Sequence, residues 1–316
     1  MASINTNLSA GMALRGLSYS QAQISKALDR LSTGFRVQEA KDDAAYWSIA
    51  TTMGSDGKAM SAVRDALALG SATAGVAYTG INTTLKLVNL MKERLIAARE
   101  PSVDLAKIQS DISSLQAQML STAASASFSD ENWLTLDSSA GADVSKSVVS
   151  SYGRSDATTI SVGTIDVKIY DATTGDTLAL VDSNPNAAAR KGLLDRALTS
   201  ASGATWTVAR IDISQLDHSP AGMAEIDSII TGVDGTIAKM TAAATELGSK
   251  KSRFDLQRSF MDDLMQAVST GVSQLVDADI NDESIKLRAM QTRESLGVQS
   301  LSIANSSAKA VLGLFQ

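Results

Sequence analysis

The sequence predicts a mainly α fold: a long antiparallel helical rod, packed as a coiled-coil-like bundle, with a terminal helix pair and a small inserted mixed α/β domain. Three observations carry this. Apolar residues recur every seven positions from about Asp43 to Arg99. A second stripe, in alternating steps of four and three, runs from Ile226 to Leu275. Between them residues 128–218 are rich in Ser, Thr, Gly and Asp and carry short β-like runs. Composition agrees, since 44% of the 316 residues are hydrophobic but only 4% are aromatic, a mixture that suits long helices.

The first element is an N-terminal helix. Leu17, Ile24, Leu28, Leu31 and Phe35 form one helical stripe, and residues 1–25 hold a single charge, Arg15. A polar joint follows, "GFRVQEAKDD" at 34–43, with Arg36, Glu39, Lys41, Asp42 and Asp43. Met53, Met60, Leu67, Ala74, Ile81, Val88 and Leu95 then keep the seven-residue spacing of a long packed helix. Gly54, Gly57, Gly70, Gly75 and Gly80 weaken it, each by about 1 kcal/mol relative to Ala, so the helix needs packing partners. Glu100-Pro101 ends it, and Leu105, Ile108, Ile112, Leu115 and Met119 mark another helix.

In the middle segment, "NWLTLD", "TISVGTIDVKIYD", "TLALV" and "TWTVARIDI" read as strands, and "ATTGDT" as a hairpin turn. "NAAARKGLLDRALTS" reads as a short helix. Ser219-Pro220 starts the next helix, with Ser as N-cap and Pro in the first position. Only Lys251 and Arg258 interrupt its stripe. At the C-terminus Leu287, Met290, Leu301, Ala304, Ala308, Val311 and Phe315 form a last stripe, and residues 295–316 hold one charge, Lys309.

A solvated helix carries charge on its outer face. Both terminal helices lack it, and neither is apolar enough for lipid, so their faces suit contact with other protein on several sides. Other chemistry finds little support. There is no Cys and one His, which excludes thiol chemistry and a His-Glu-x-x-His zinc site. His218 reads as an exposed loop residue. "DADINDESIKLR" opens like a calcium loop but has Asp282 where Gly is needed and Arg288 where the bidentate Glu belongs, so the acidic run reads as a helix start. The net charge of −6 argues against nucleic acid, and no apolar run is long enough to span a membrane. No secretory signal is expected, because Asn5, Asn7 and Ser9 interrupt any apolar core.

"INTN" near the start, "RLSTGFRVQEAKDDAAYWSIA" at 30–50, "GSKKSRFD" at 248–255 and "LVDADINDESIKLRAMQTRESLGVQSLSIANSSAKAVLGLFQ" at the end resemble bacterial flagellins, in order and spacing. "AAYWSIAT" resembles the α-proteobacterial, rhizobium-like branch. The resemblance covers about residues 1–130 and 222–316. It implies a structural subunit, not an enzyme, that self-assembles into the extracellular flagellar filament for swimming; the neighbouring alternative is a hook–filament junction protein. It implies no cofactor. Its partners would be other copies and other flagellins, the flagellar export apparatus, an export chaperone and the filament cap. The implied division is an N-terminal inner helix and spoke at 1–43, rod helices at 44–130, a variable outward-facing domain at 131–218, a C-terminal rod helix at 219–270 and a C-terminal inner helix at 271–316. The two terminal stripes would be the self-assembly interface, and the five charged residues of the joint would make contacts between subunits or across the joint.

Overall fold

The computed structural model describes residues 7–139, 143–156 and 159–313, the side chains only as far as 307. The fold is mainly α. Among the described residues, helices α1 (Leu8–Thr33), α2 (Ala44–Ala97) and α3 (Leu105–Ser125) precede eight strands, and α4 (Pro220–Val276) and α5 (Ile280–Gly313) follow them. The chain divides into two compact units: residues 1–58 with 265–316, and residues 59–264.

In the larger unit α2 and α4 run antiparallel. Arg64 faces Asp262, Ser71 donates to Asp255, Lys92 pairs with Asp234 and Arg99 with Asp227, so partner numbers fall along α4 as they rise along α2. The heptad stripe of α2 is the buried one: Met60, Leu67, Ala74, Ile81, Val88 and Leu95 all enter the core. On α4, Ile226, Val233, Met240, Ala244, Leu247, Phe254 and Met261 meet them. Lys251 and Arg258 interrupt the stripe to flank Asp255, at 2.7 and 4.0 Å, forming a polar cross-link with Ser71. Helix α4 begins as the sequence indicates, with Ser219 Oγ accepting from the Gly222 amide at 3.2 Å.

The inserted segment packs onto these helices through a shared core. Its strands are β1 (Ser127–Phe128), β2 (Glu131–Asn132), β3 (Thr135–Leu136), β4 (Val144–Arg154), β5 (Ile160–Tyr170), β6 (Val181–Asp182), β7 (Leu198–Thr199) and β8 (Thr205–Trp206). They form four two-stranded ladders: β1–β2, β4–β5 and β7–β8 antiparallel, β3–β6 parallel. "ATTGDT" is a turn as read, closed by Gly175 N–H donating to Asp171 O at 2.8 Å, with Gly175 at φ +72°.

Several features differ from the sequence reading. Of "TWTVARIDI" only Thr205–Trp206 is strand, followed by a 3-10 turn at Val208–Arg210, and of "TLALV" only Val181 lies in a strand. The long strand β4, "VSKSVVSSYGR", gave no clear signal because Ser occupies its outward positions, but it pairs with β5 along its length. Residues 186–200 do not form a helix. A single 3-10 turn, Ala187–Ala189, precedes Leu193 and Leu194, whose amides donate to Ala179 O and Leu180 O at 2.9 Å each. Gly192 lies so close to the 180–182 backbone that an added Cβ would meet it at 2.8 Å. Asp182, 1% exposed, accepts from the amides of Ser138, Asn184 and Lys191. These long-range bonds outweigh the local helical preference of the three alanines.

In the smaller unit the ends of α2 and α4 also pair, Gly57 lying against Val268 and Gly271 against Met53. Val37, Ala50 and Val276 make a small separate core beside Val272 and Leu275.

Candidate assembly surface

Helix α1 starts with Asn7 as N-cap, its side chain accepting from the Ala10 amide at 3.0 Å, and stops at Gly34, which takes the left-handed φ of +77°. Helix α5 starts at Asp279, whose carboxylate accepts from the Asn281 and Asp282 amides, with Asp282 and Glu283 in the first turn. The acidic run thus serves a helix start, where negative charge is favoured.

The two helices pair antiparallel. Asn7 Nδ2 donates to Ala304 O at 2.9 Å, Gln21 Nε2 to Glu294 at 3.2 Å, and Arg30 to Glu283 at 3.1 Å. Buried or half-buried positions on α1 include Ala13, Leu17, Ser20, Ile24, Ala27 and Leu31; on α5 they include Glu283, Leu287, Met290, Glu294, Gly297, Leu301 and Ala304. Both sets step by four and three, the spacing of a helix–helix seam. Leu17 lies beside Gly297, close enough for an added Cβ to touch it at 3.7 Å. The seam is thin, being built largely from small and polar residues.

One charged group is buried in it. Glu283 has only 5% of its side chain exposed and contacts Lys286 at 3.0 Å and Arg30 at 3.1 Å. Burial pushes its pKa up, but the hydrogen bonds and charges of Lys286 and Arg30 outweigh burial and hold the carboxyl below its ordinary value.

The structure therefore places Leu17, Ile24, Leu31, Leu287, Met290, Leu301 and Ala304 in the half-buried set between the chain's own terminal helices. Leu28 and Phe35 are exposed. The side chain of Val311, that of Ala308, and Phe315 lie outside the described residues. The stripe reading missed the outer faces. Leu8, 79% exposed, shares one side of α1 with Met12 and Tyr19, while Leu14 lies with Leu28 on another. On α5, Ile285, Leu296 and Ile303 are 66, 56 and 65% exposed and lie opposite the seam. The signal was present in the sequence as apolar residues outside the main stripe, interrupted on α1 by Arg15 and on α5 by Arg288.

The joint is a folded crossing. Arg36 and Val37 amides donate to Val276 O at 2.7 and 3.2 Å, and the Ala278 amide to Gly34 O at 2.8 Å. The Arg36 guanidinium donates to Leu275 O at 2.8 Å and sits 5.5 Å from the centre of the Tyr46 ring. Asp42 accepts from the Gln38 and Glu39 amides, which hold its carboxyl below the usual range. Asp43 caps α2, accepting from the Ala45 and Tyr46 amides at 3.1 Å each. Glu39 and Lys41 pair with each other at 2.8 Å with both side chains exposed.

Among the described residues, no group of three or more His, Asp or Glu side chains is placed to hold a metal, and no helix is long and apolar enough to cross a membrane. His218 faces the Glu100 carbonyl oxygen at 3.0 Å.

Comparison with known proteins accounts for this arrangement. The model of the bacterial flagellin N-terminal helical region matches residues 4–138, and that of the bacterial flagellin C-terminal helical region matches residues 230–315. Flagellin C of Rhizobium meliloti (strain 1021) is 39% identical over 329 aligned positions, covering all of both chains. Flagellin A of Rhizobium meliloti is 36% identical over 396, again with all of both chains covered. A flagellin of Brucella melitensis biotype 1 is 38% identical over 318, with the same coverage. The two matched regions hold the paired terminal helices, the joint and most of the long helices, and the chain belongs to the flagellin family.

Proposed function

We propose that the exposed apolar faces of α1 and α5 are the surfaces through which this chain polymerises with other flagellin subunits. The chain is a structural subunit of the extracellular flagellar filament, and filament rotation drives swimming. One observation carries the surface assignment: Ile285, Leu296 and Ile303 form an uncovered stripe on the side of α5 that α1 does not occupy. Scattered exposed apolar residues are ordinary, but a periodic apolar set on a paired helix marks an interaction face. The flagellin relatives fit a structural role, and no observation favours the hook–filament junction reading.

In this reading the terminal segments 1–43 and 271–316 form the innermost layer, 44–130 and 219–270 the next, and 131–218 faces outward. Arg36, Asp42 and Asp43 hold the joint within one subunit, and Glu39 and Lys41 remain available to neighbours. Subunits reach the tip through the flagellar export apparatus, attended by an export chaperone and the filament cap. The absence of Cys supports passage of an unfolded chain that must not cross-link.

The test is growth from short filament seeds, followed by electron microscopy. Wild-type protein grows filaments of uniform width. Ile303→Asp, with a charge on the uncovered face, adds nothing to seeds while its circular dichroism matches wild type. Normal growth of Ile303→Asp and Ile285→Asp filaments would remove this face from the interface.

A further inference from the structure

We propose that the buried carboxyl pair Asp182–Asp195 is a proton-operated latch in the inserted segment: with a proton on Asp195 the stretch 191–195 is held against the 179–182 backbone, and loss of that proton loosens it. The latch does not depend on the filament reading. Both residues lie within 139–229, between the two matched family regions.

The stretch is bound by a short ladder that a side chain closes. The Leu193 and Leu194 amides donate to Ala179 O and Leu180 O at 2.9 Å each. The next bond runs the other way, from the Asp182 amide to Asp195 Oδ2 at 3.0 Å. A carboxyl oxygen thus stands where a backbone carbonyl would continue the pairing. Leu194 O accepts from the Ala209 amide at 3.0 Å, so the same stretch ties β6 to the 3-10 turn Val208–Arg210.

The two carboxyls are served unequally. Asp182 is 1% exposed and Asp195 5%. Asp182 accepts from the Ser138 amide and hydroxyl and from the amides of Asn184 and Lys191. Among the described residues, the one hydrogen bond to the Asp195 carboxyl comes from the Asp182 amide. Two neighbouring buried carboxylates are costly to ionise together, and the supply of donors decides which keeps its charge. Burial pushes Asp182 up, but its hydrogen bonds, those of Ser138 first, hold it below its ordinary value. Burial pushes Asp195 up, and the Asp182 charge adds to this; the Asp182 amide, Arg190 and Arg210 pull it down without cancelling the rise. The charged groups that face Asp195 are therefore Asp182 on β6, Arg190 in the preceding loop and Arg210 in the 3-10 turn, with Asp137 near Asp182 in turn.

A carboxyl raised in the folded state contributes stability that is full below its unfolded value and is lost as pH rises through the folded one. The stretch is therefore firmest in mild acid and loosens as pH rises above the ordinary 3.8. Asp182 acts with the opposite sign and in a lower window, since its contribution is lost only as pH falls below 3.8. The two effects are separable by pH.

Hydrogen exchange of the full-length monomer tests the latch, with each amide rate divided by that of an unstructured peptide at the same pH. From about pH 4 to about pH 7, protection of the Leu193 and Leu194 amides should fall about threefold or more in wild type, since each unit of pKa difference between closed and open stretch is tenfold. The fall should level off at the pH where the Asp195 carboxyl carbon resonance shows its midpoint, and that midpoint should lie above 3.8. Asp195→Asn keeps an oxygen for the Asp182 amide and carries no charge, so its protection should stay flat over the same range. The wild-type titration needs no variant and decides the matter even where Asp195→Asn does not fold. Protection independent of pH in wild type, the same fall in Asp195→Asn, or a carboxyl midpoint at or below 3.8 would overturn the inference.

Discussion

Glu283 shows how a single buried charge can govern a thin helix pair. Its carboxylate is held by Lys286 and Arg30 and has its pKa lowered below the ordinary 4.5 despite burial. A depressed carboxyl contributes stability that is full above its unfolded pKa and is lost as pH falls through the folded value. Acid below about pH 4.5 should therefore loosen α1 from α5. Glu283→Gln should cost roughly 1–3 kcal/mol at neutral pH, because Arg30 is left part-buried without its charge partner. It should also flatten the acid limb of a urea-unfolding series followed by circular dichroism. An unchanged acid limb would assign the acid sensitivity to other carboxylates. Asp43 is the second informative residue. As the cap of α2 it accepts from two amides, and Asp43→Ala should cost about 1 kcal/mol in the same assay.

At the scale of elements, the glycines of α2 divide into two kinds. Gly54 has nothing within 4 Å of an added Cβ, whereas at Gly80 that atom would meet Leu134 Cδ1 at 2.5 Å and Ala126 Cβ at 3.1 Å. Gly70 is similar, with Val148 of β4 at 2.7 Å. Gly54→Ala should therefore stabilise the monomer by about 0.5–1 kcal/mol through helix propensity. Gly80→Ala should destabilise it by about 1–3 kcal/mol, because overpacking exceeds the propensity gain. Equal signs in chemical denaturation would refute the close-approach account. Sequence alone could count these glycines as helix-weakening but could not tell them apart, since the difference is made by residues 46 to 78 positions away. The same limit explains the other misses. The heptads of α2 and α4 were legible because one period extends over seven or more turns. Strand β4 and the stretch 186–200 were not, because their conformations are fixed by pairing partners outside each stretch rather than by its own residue pattern, β5 in one case and the 179–182 backbone in the other. At the assembly surface, periodicity found the stripe shared by α1 and α5, and only the structure separated that seam from the outer faces.

For the whole molecule, that separation decides which substitutions test polymerisation and which test the subunit itself. Leu301 and Ile303 are two residues apart on α5, yet Leu301 is half-buried at the seam and Ile303 is 65% exposed on the far side. Sequence periodicity alone nominates Leu301→Asp as the block to assembly. The structure gives that change two effects: an unpaired charge at the α1–α5 seam loosens the pair, and assembly fails as a consequence. Ile303→Asp should leave the pair formed, because aspartate on an exposed helix face costs only its propensity, about 0.5 kcal/mol. Hydrogen exchange of monomeric protein separates the two: amides of α1 should exchange faster in Leu301→Asp and at the wild-type rate in Ile303→Asp, while neither variant extends seeds. Deleting 295–316 removes the C-terminal part of both surfaces at once and should abolish growth while α2, α3 and α4 keep their helical signal. Faster α1 exchange in Ile303→Asp would mean that the outer stripe also supports the intrachain pair. Seed growth by Ile303→Asp beside failure of Leu301→Asp would mean that the pair itself, rather than its uncovered face, is what neighbouring subunits require.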